Sequence, residues 1–137
     1  MSFTGGCSCG AVRYALRAEP VRSFQCQCRD CQWDSGGGHS SVFVFPRPAL
    51  ELSGEVREIA RTSERGNTKR KGFCPTCGVS IYNKPDAVPD MVGIYVGSLD
   101  DASTFKPGIV VYAARGYAWD FLDPDVPRLP EWYPPSS

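Results

Sequence analysis

The sequence predicts a mainly β protein folded as one domain over residues 1–137. Three observations lead there. Short runs dense in β-branched and aromatic residues recur between glycine- and proline-bearing breaks, as in Ser41–Phe45, Met91–Gly97 and Ile109–Ala113. No stretch carries a long amphipathic period of 3.6 residues. All seven cysteines fall in three tight clusters, Cys7-x-Cys9, Cys26-x-Cys28-x-x-Cys31 and Cys74-x-x-Cys77, which is the spacing of metal ligands and lets ions staple small sheets.

Met1 to Gly6 reads as a short polar lead, with Gly5-Gly6 letting backbone come close to a metal. After a turn at Gly10, Ala11–Leu16 alternates apolar and polar residues as a half-buried strand does, and Pro20 closes it. Val21–Cys26 is a second extended stretch entering the three-cysteine cluster. Gln32 to Ser41 is rich in glycine and serine and reads as a loop, followed by the strand Ser41–Phe45, which Pro46 and Pro48 stop. Leu50–Leu52 and Val56–Ile59 are short strands around Ser53-Gly54, and Gly66-Asn67 marks a hairpin tip. Val79–Tyr82 and Met91–Gly97 are strands separated by the loop Lys84 to Pro89, and Leu99–Ser103 is polar punctuation with room for one helical turn. Ile109–Ala113 is the last strand. The tail carries Pro124, Pro127, Pro130, Pro134 and Pro135, so it should be extended and pinned by Leu129, Trp132 and Tyr133.

In an extended Cys26-x-Cys28 both sulfurs point to one face, and the following turn brings Cys31 beside them. Three thiolates on one ion leave a coordination position open. The outer clusters supply four more sulfurs, the number of a closed tetrahedral site. Seven therefore divides as four plus three. Spacing also allows a zinc ribbon pairing Cys28-x-x-Cys31 with Cys74-x-x-Cys77, or an iron-sulfur cluster, although the ferredoxin run of cysteines is missing. Disulfides fit poorly, because the count is odd and nothing at the N-terminus resembles a secretory signal.

Lys plus Arg equals Asp plus Glu, giving a net charge of zero. No global attraction to nucleic acid or to an anionic membrane follows. No apolar run approaches the ~20 residues of a spanning helix, so a cytoplasmic protein is expected. Beside the proposed open metal position, Ser35, Gly36, Gly37, Gly38 and His39 could wrap a ligand with backbone N–H groups. His39, the only histidine, is a candidate fourth ligand, general base or substrate contact, against the alternative of a solvated loop residue. Asp34 is a second candidate for the fourth metal position. Arg61, Arg65, Lys69, Arg70 and Lys71 form a basic hairpin flank that could attract carboxylates of a small acidic molecule.

The order Gly6-Cys7-x-Cys9-Gly10-x-Val12-x-Tyr14, Cys26-x-Cys28-x-x-Cys31, Phe73-Cys74-x-x-Cys77-Gly78, Gly97-x-Leu99-Asp100-Asp101, Pro107, Trp119 and Leu129-Pro130 resembles the family of glutathione-dependent formaldehyde-activating enzymes and centromere protein V. The resemblance runs over nearly the whole chain. It implies a β-tent fold of small coiled antiparallel sheets, a structural zinc on Cys7, Cys9, Cys74 and Cys77, and a second zinc on Cys26, Cys28 and Cys31, with the occupancy of the second left open. Gln27 and Val110 stand where relatives often carry histidine.

The expected function is that of a carbon–sulfur lyase-like enzyme. A small-molecule thiol such as glutathione would sit as a thiolate at the three-cysteine zinc beside an aldehyde such as formaldehyde. The alternative is a non-catalytic scaffold that keeps both ions for stability and binds a protein partner, with Trp33, Trp119 or Trp132 as anchors. A fourth position filled by the chain itself would favour the scaffold.

Overall fold

A computed structural model describes residues 2–63 and 65–132. In chain order the elements are β1 (Phe3–Gly6), β2 (Arg13–Leu16), β3 (Arg22–Cys26), α1 (Arg29–Ser35), β4 (Ser40–Pro46), β5 (Leu50–Ser53), β6 (Arg57–Thr62), β7 (Thr68–Phe73), β8 (Ser80–Pro85), β9 (Met91–Tyr95) and β10 (Ile109–Val111). Single 3-10 turns cover Arg47–Ala49, Val96–Ser98 and Ala113–Arg115. The protein is mainly β. Among the described residues no helix is long and apolar enough to cross a membrane.

The chain forms two compact units, Met1–Arg22 with Phe43–Phe105, and Ser23–Val42 with Lys106–Ser137. In the first, β1, β2 and β5 make a small antiparallel sheet, with Tyr14 opposite Gly5 on one side and Leu52 on the other. The strand run β4-β9-β8-β7-β6 is its second sheet, antiparallel from β9 to β6. Alternation puts Tyr14 and Leu16 of β2 inward beside Val12, while Phe43 and Phe45 of β4 leave almost no surface exposed. The aromatic rings interlock edge to face, Phe43 with Phe105 at 5.0 Å and Phe3 with Phe45 at 5.5 Å between centroids, the geometry the ring quadrupole favours. Tyr14 buries its hydroxyl against the Ser98 hydroxyl at 2.7 Å, and Ser98 in turn donates to the Tyr95 carbonyl.

In the second unit the strand order is β10-β3-β4, with the first residues of β4 contributing. β10 runs parallel to β3, placing Val111 opposite Cys26, beside the antiparallel pairs the sequence predicts. After a turn at Asp123–Val126, the segment from Pro127 to Glu131 runs along β10: the Val110 and Tyr112 amides donate to the Pro127 and Glu131 carbonyls, and the Leu129 amide donates to the Val110 carbonyl. Leu129 and Trp132 pack on the core of this unit. Tyr133, also expected to pin the tail, lies outside the described residues.

Three local expectations are corrected. The lead before Cys7 contains β1, and its glycines answer to packing: a Cβ on Gly5 would stand 2.3 Å from the Tyr14 hydroxyl and 2.4 Å from the Ser98 carbonyl. The stretch after Cys28 is helical before it loops, since α1 reaches Ser35. The 3-10 turn falls on Val96–Ser98, ahead of the Leu99–Ser103 segment.

Candidate metal centres

In the first unit a turn at Ser8-Cys9-Gly10 and the knuckle Cys74–Gly78 bring four sulfurs together. All four Sγ atoms of Cys7, Cys9, Cys74 and Cys77 lie within 4.8 Å of one another, with Cys7–Cys9 at 3.5 Å and Cys9–Cys74 at 3.7 Å. Four thiolates on a tetrahedral zinc with ordinary Zn–S bonds stand about 3.8 Å apart, so this donor set fits that ion. Backbone amides are aimed at the sulfurs as at anions: Val12 N–H donates to Cys7 (3.2 Å), and Thr76 and Cys77 N–H donate to Cys74 (3.4 and 3.5 Å). Gly78 takes φ +80°, which lets its own amide return to the Cys74 carbonyl at 2.8 Å and close the knuckle.

The thiol acidities fit a cation. The Ser8 hydroxyl, with the Val79 and Cys9 amides, holds Cys77 down at about 5, so it is a thiolate at neutral pH. The Val12 amide lowers Cys7. At Cys9 the Ala11 amide pulls down, but the crowd of neighbouring thiols, Cys7 first, pushes it up to about 11. A positive ion is what lets four such groups carry charge together.

In the second unit the Sγ atoms of Cys26, Cys28 and Cys31 also lie within 4.8 Å of one another. Three elements aim them. Pairing of β3 with β10 fixes Cys26, reinforced by the Gln27 amide donating to the Val111 carbonyl at 3.0 Å. Cys28 is the N-cap of α1, its sulfur accepting from the Cys31 amide at 3.4 Å. Cys31 then lies one helical turn on. Cys26 and Cys31 are buried against Val111 and Tyr112, with Phe24, Leu129 and Trp132 packed behind, while Cys28 is half-buried. Hydrogen bonding with Cys28 and Cys31, together with burial, drives the Cys26 thiol strongly upward. Three thiolates here need a cation, and the soft all-sulfur donors suit zinc. All seven cysteines are free of disulfides. The geometry groups Cys28 and Cys31 with Cys26, and Cys74 and Cys77 with Cys7 and Cys9.

Among the described residues no histidine, aspartate or glutamate joins the three sulfurs as a fourth donor. His39 Nδ1 instead faces the Asp120 carboxylate, at 2.9 and 3.0 Å from its two oxygens, and Asp34 is buried. Ser35 ends α1, where its hydroxyl accepts from the Gly37 amide, and the Gly36 amide goes to the Gln32 carbonyl. Two glycine amides of the expected ligand loop are thus used inside the turn. Gln27 is buried with its side-chain amide donating to Asp120 at 3.1 Å, and Val110 is fully buried in β10. The basic flank belongs to β6 and β7 of the first unit, where Arg70 pairs with Asp86. Sequence reasoning missed Asp120, whose one signal was a lone acid between Trp119 and Phe121. It also missed Tyr112, which among the described residues is the only non-glycine with positive φ (56°), strain placed directly against Cys26 and Cys31.

The class these features define is a mainly β protein with two cysteine clusters of metal-binding geometry. The profile of the glutathione-dependent formaldehyde-activating enzyme family matches residues 2–115. The chain belongs to that family. A Penicillium rubens protein provisionally named a glutathione-dependent formaldehyde-activating enzyme is 28% identical over 88 residues, 61% of this chain and 46% of that protein. The chain thus matches about half the length of that relative. A crystal structure of a Rhodobacter sphaeroides protein shares the fold, with a TM-score of 0.56 at 21% identity over 76% of this chain and 91% of the other. Asp120, Leu129 and Trp132 lie beyond the span matched by the family profile.

Proposed function

We propose that the chain joins a small thiol such as glutathione to an aldehyde such as formaldehyde, giving the S-hydroxymethyl adduct, and cleaves the same carbon–sulfur bond in reverse. The observation that carries this reading is the convergence of Cys26, Cys28 and Cys31 in a set that, among the described residues, stops at three protein donors. Family membership supports the substrate pair. Zinc held by these three cysteines would supply a sulfur-seeking centre, its Lewis acidity tempered by the donated charge, that makes an incoming thiol more acidic. The chain's own contribution is rigid placement. β10 and the cap of α1 hold the sulfurs, the buried Val111 and Tyr112 exclude water behind them, and Ser35, Gly36, Gly37, Gly38 and His39 form the rim proposed to contact the peptide part of the thiol. Cys7, Cys9, Cys74 and Cys77 are proposed to hold a second zinc whose work is structural.

Calorimetry with glutathione on the zinc-loaded protein tests the reading directly. We expect one binding event per chain, abolished in Cys28→Ser, whose zinc content should fall from two equivalents to one. No heat from the fully loaded wild type would exclude a thiol ligand. One observation favours the scaffold alternative: Tyr117 and Trp119 stack at 5.3 Å and 6° with Trp119 69% and Phe121 82% exposed, an apolar surface of the kind partners cover. Binding of glutathione at the three-cysteine cluster separates the two readings.

A further inference from the structure

We propose that His39 is the proton carrier of the thiol–aldehyde reaction and that Asp120 is the positioning residue that fixes its tautomer. This rests on the function proposed above.

The network leaves little freedom in where protons sit. A carboxylate only accepts, so with both Asp120 oxygens within 3.0 Å, His39 Nδ1 carries its hydrogen toward them. The same rule orients Gln27, whose amide nitrogen donates to Asp120 Oδ2 at 3.1 Å. On the far side of the imidazole the Gln25 amide nitrogen faces Nε2 at 3.5 Å and donates to the Ser41 hydroxyl at 3.2 Å. With the hydrogen on Nδ1, Nε2 keeps the lone pair that can accept from this amide. The neutral ring is therefore held with hydrogen on Nδ1 and a basic Nε2, the arrangement in which a carboxylate orients a general base.

The dyad is built into the second unit. The Asp120 side chain is 10% exposed and that of His39 26%, so the carboxylate is shielded while the ring reaches solvent. Gln27, between Cys26 and Cys28, ties Asp120 to the cysteine cluster, and the Ser40 hydroxyl beside His39 donates to the Cys31 carbonyl at 3.0 Å. Gln32 braces the same segment by donating to the Gln27 and Arg115 carbonyls. Two glycines make room: a Cβ on Gly38 would lie 2.4 Å from the Asp120 carboxyl, and one on Gly116 would lie 2.6 Å from the Gln27 amide.

The step balances without oxidant or reductant. His39 Nε2 takes the thiol S–H proton, the sulfur electron pair forms the bond to the carbonyl carbon, and the C=O π pair moves to oxygen. That oxygen receives the proton back from Nε2, yielding the hydroxymethyl thioether and the neutral ring. The reverse sequence cleaves the adduct.

With one histidine in the chain, long-range 1H–15N correlation on the zinc-loaded protein shows one imidazole. Neutral wild type should show Nδ1 protonated and Nε2 bare, and Asp120→Ala should move hydrogen to Nε2 while zinc content and circular dichroism stay constant. An Nε2-protonated wild type, or an unchanged ring in a folded Asp120→Ala, overturns the positioning role. In parallel, adduct formation from glutathione and 13C-formaldehyde is followed by NMR. Expected are a fall in kcat of roughly 100-fold or more in His39→Gln and a smaller one in Asp120→Ala, with KM little changed. Full activity in His39→Gln overturns the proton transfer alone. A wild type that does not accelerate the reaction overturns the proposed function, and the proton transfer with it.

Discussion

Cys77 shows what one hydroxyl does for a metal cluster. Because Ser8 is the largest influence holding this thiol down at about 5, the thiolate is stabilised in the folded chain relative to its ordinary value of 9.0. The stabilisation is present at high pH and is lost as pH falls through about 5. Ser8→Ala should therefore raise the pH at which the four-sulfur cluster releases zinc, measured with a colorimetric chelator across an acid titration. Gly38 is a second single-residue test. Its Cβ would meet the Asp120 carboxyl, and Gly38→Ala should cost about 1–3 kcal/mol as overpacking, read by thermal denaturation, while disturbing the His39 contact. Legibility at this scale was uneven for a physical reason. Cysteines announce themselves by type and spacing, whereas His39 and Asp120 are 81 residues apart and nothing in local pattern pairs them. Gln27, readable only as a missing histidine, proved to be the donor that orients a carboxylate.

The strands were legible because short β-branched and aromatic runs have few alternatives. The exceptions mark where packing or capping outweighed composition. β1 was hidden by Gly5 and Gly6, which look like a loop but allow β2 and the Ser98 turn to approach. α1 was hidden by its brevity, since seven residues carry no readable period. Its caps were in plain view: Cys28 at the N-cap, Asp30 in the first turn and Gly36 at φ +75° ending it. Gly36→Ala should cost about 1 kcal/mol through the left-handed conformation and loosen the Cys31 position, measurable as weaker zinc retention at the three-sulfur site. In the β1-β2-β5 sheet, Tyr14→Phe removes the bond to Ser98, for a loss of about 1 kcal/mol in denaturant unfolding. Burial holds the Tyr14 phenol up at about 12, so the bond persists across neutral pH.

For the chain as a whole, the division of seven sulfurs into four and three was legible from spacing together with family likeness, while the existence of two compact units was not. The pattern of cysteines says which sulfurs come together, but not which backbone segments pack around them. The Cys9–Cys74 contact closes a loop of 65 residues, and a clip across such a loop stabilises by about 4 kcal/mol on the chain-entropy account. Chelator titration should therefore remove zinc in two steps, the three-donor site first with a small change in Tm. The four-donor site should follow with loss of near-ultraviolet dichroism. The exposed segment around Asp120 adds a practical consequence. Asp120 points inward to His39 while its neighbour Trp119 lies outside, flat against Tyr117, so withdrawal of the carboxylate would shift the indole as well. In a variant lacking Trp33 and Trp132, the fluorescence of Trp119 should therefore change when a bound molecule unlatches the acid from its base.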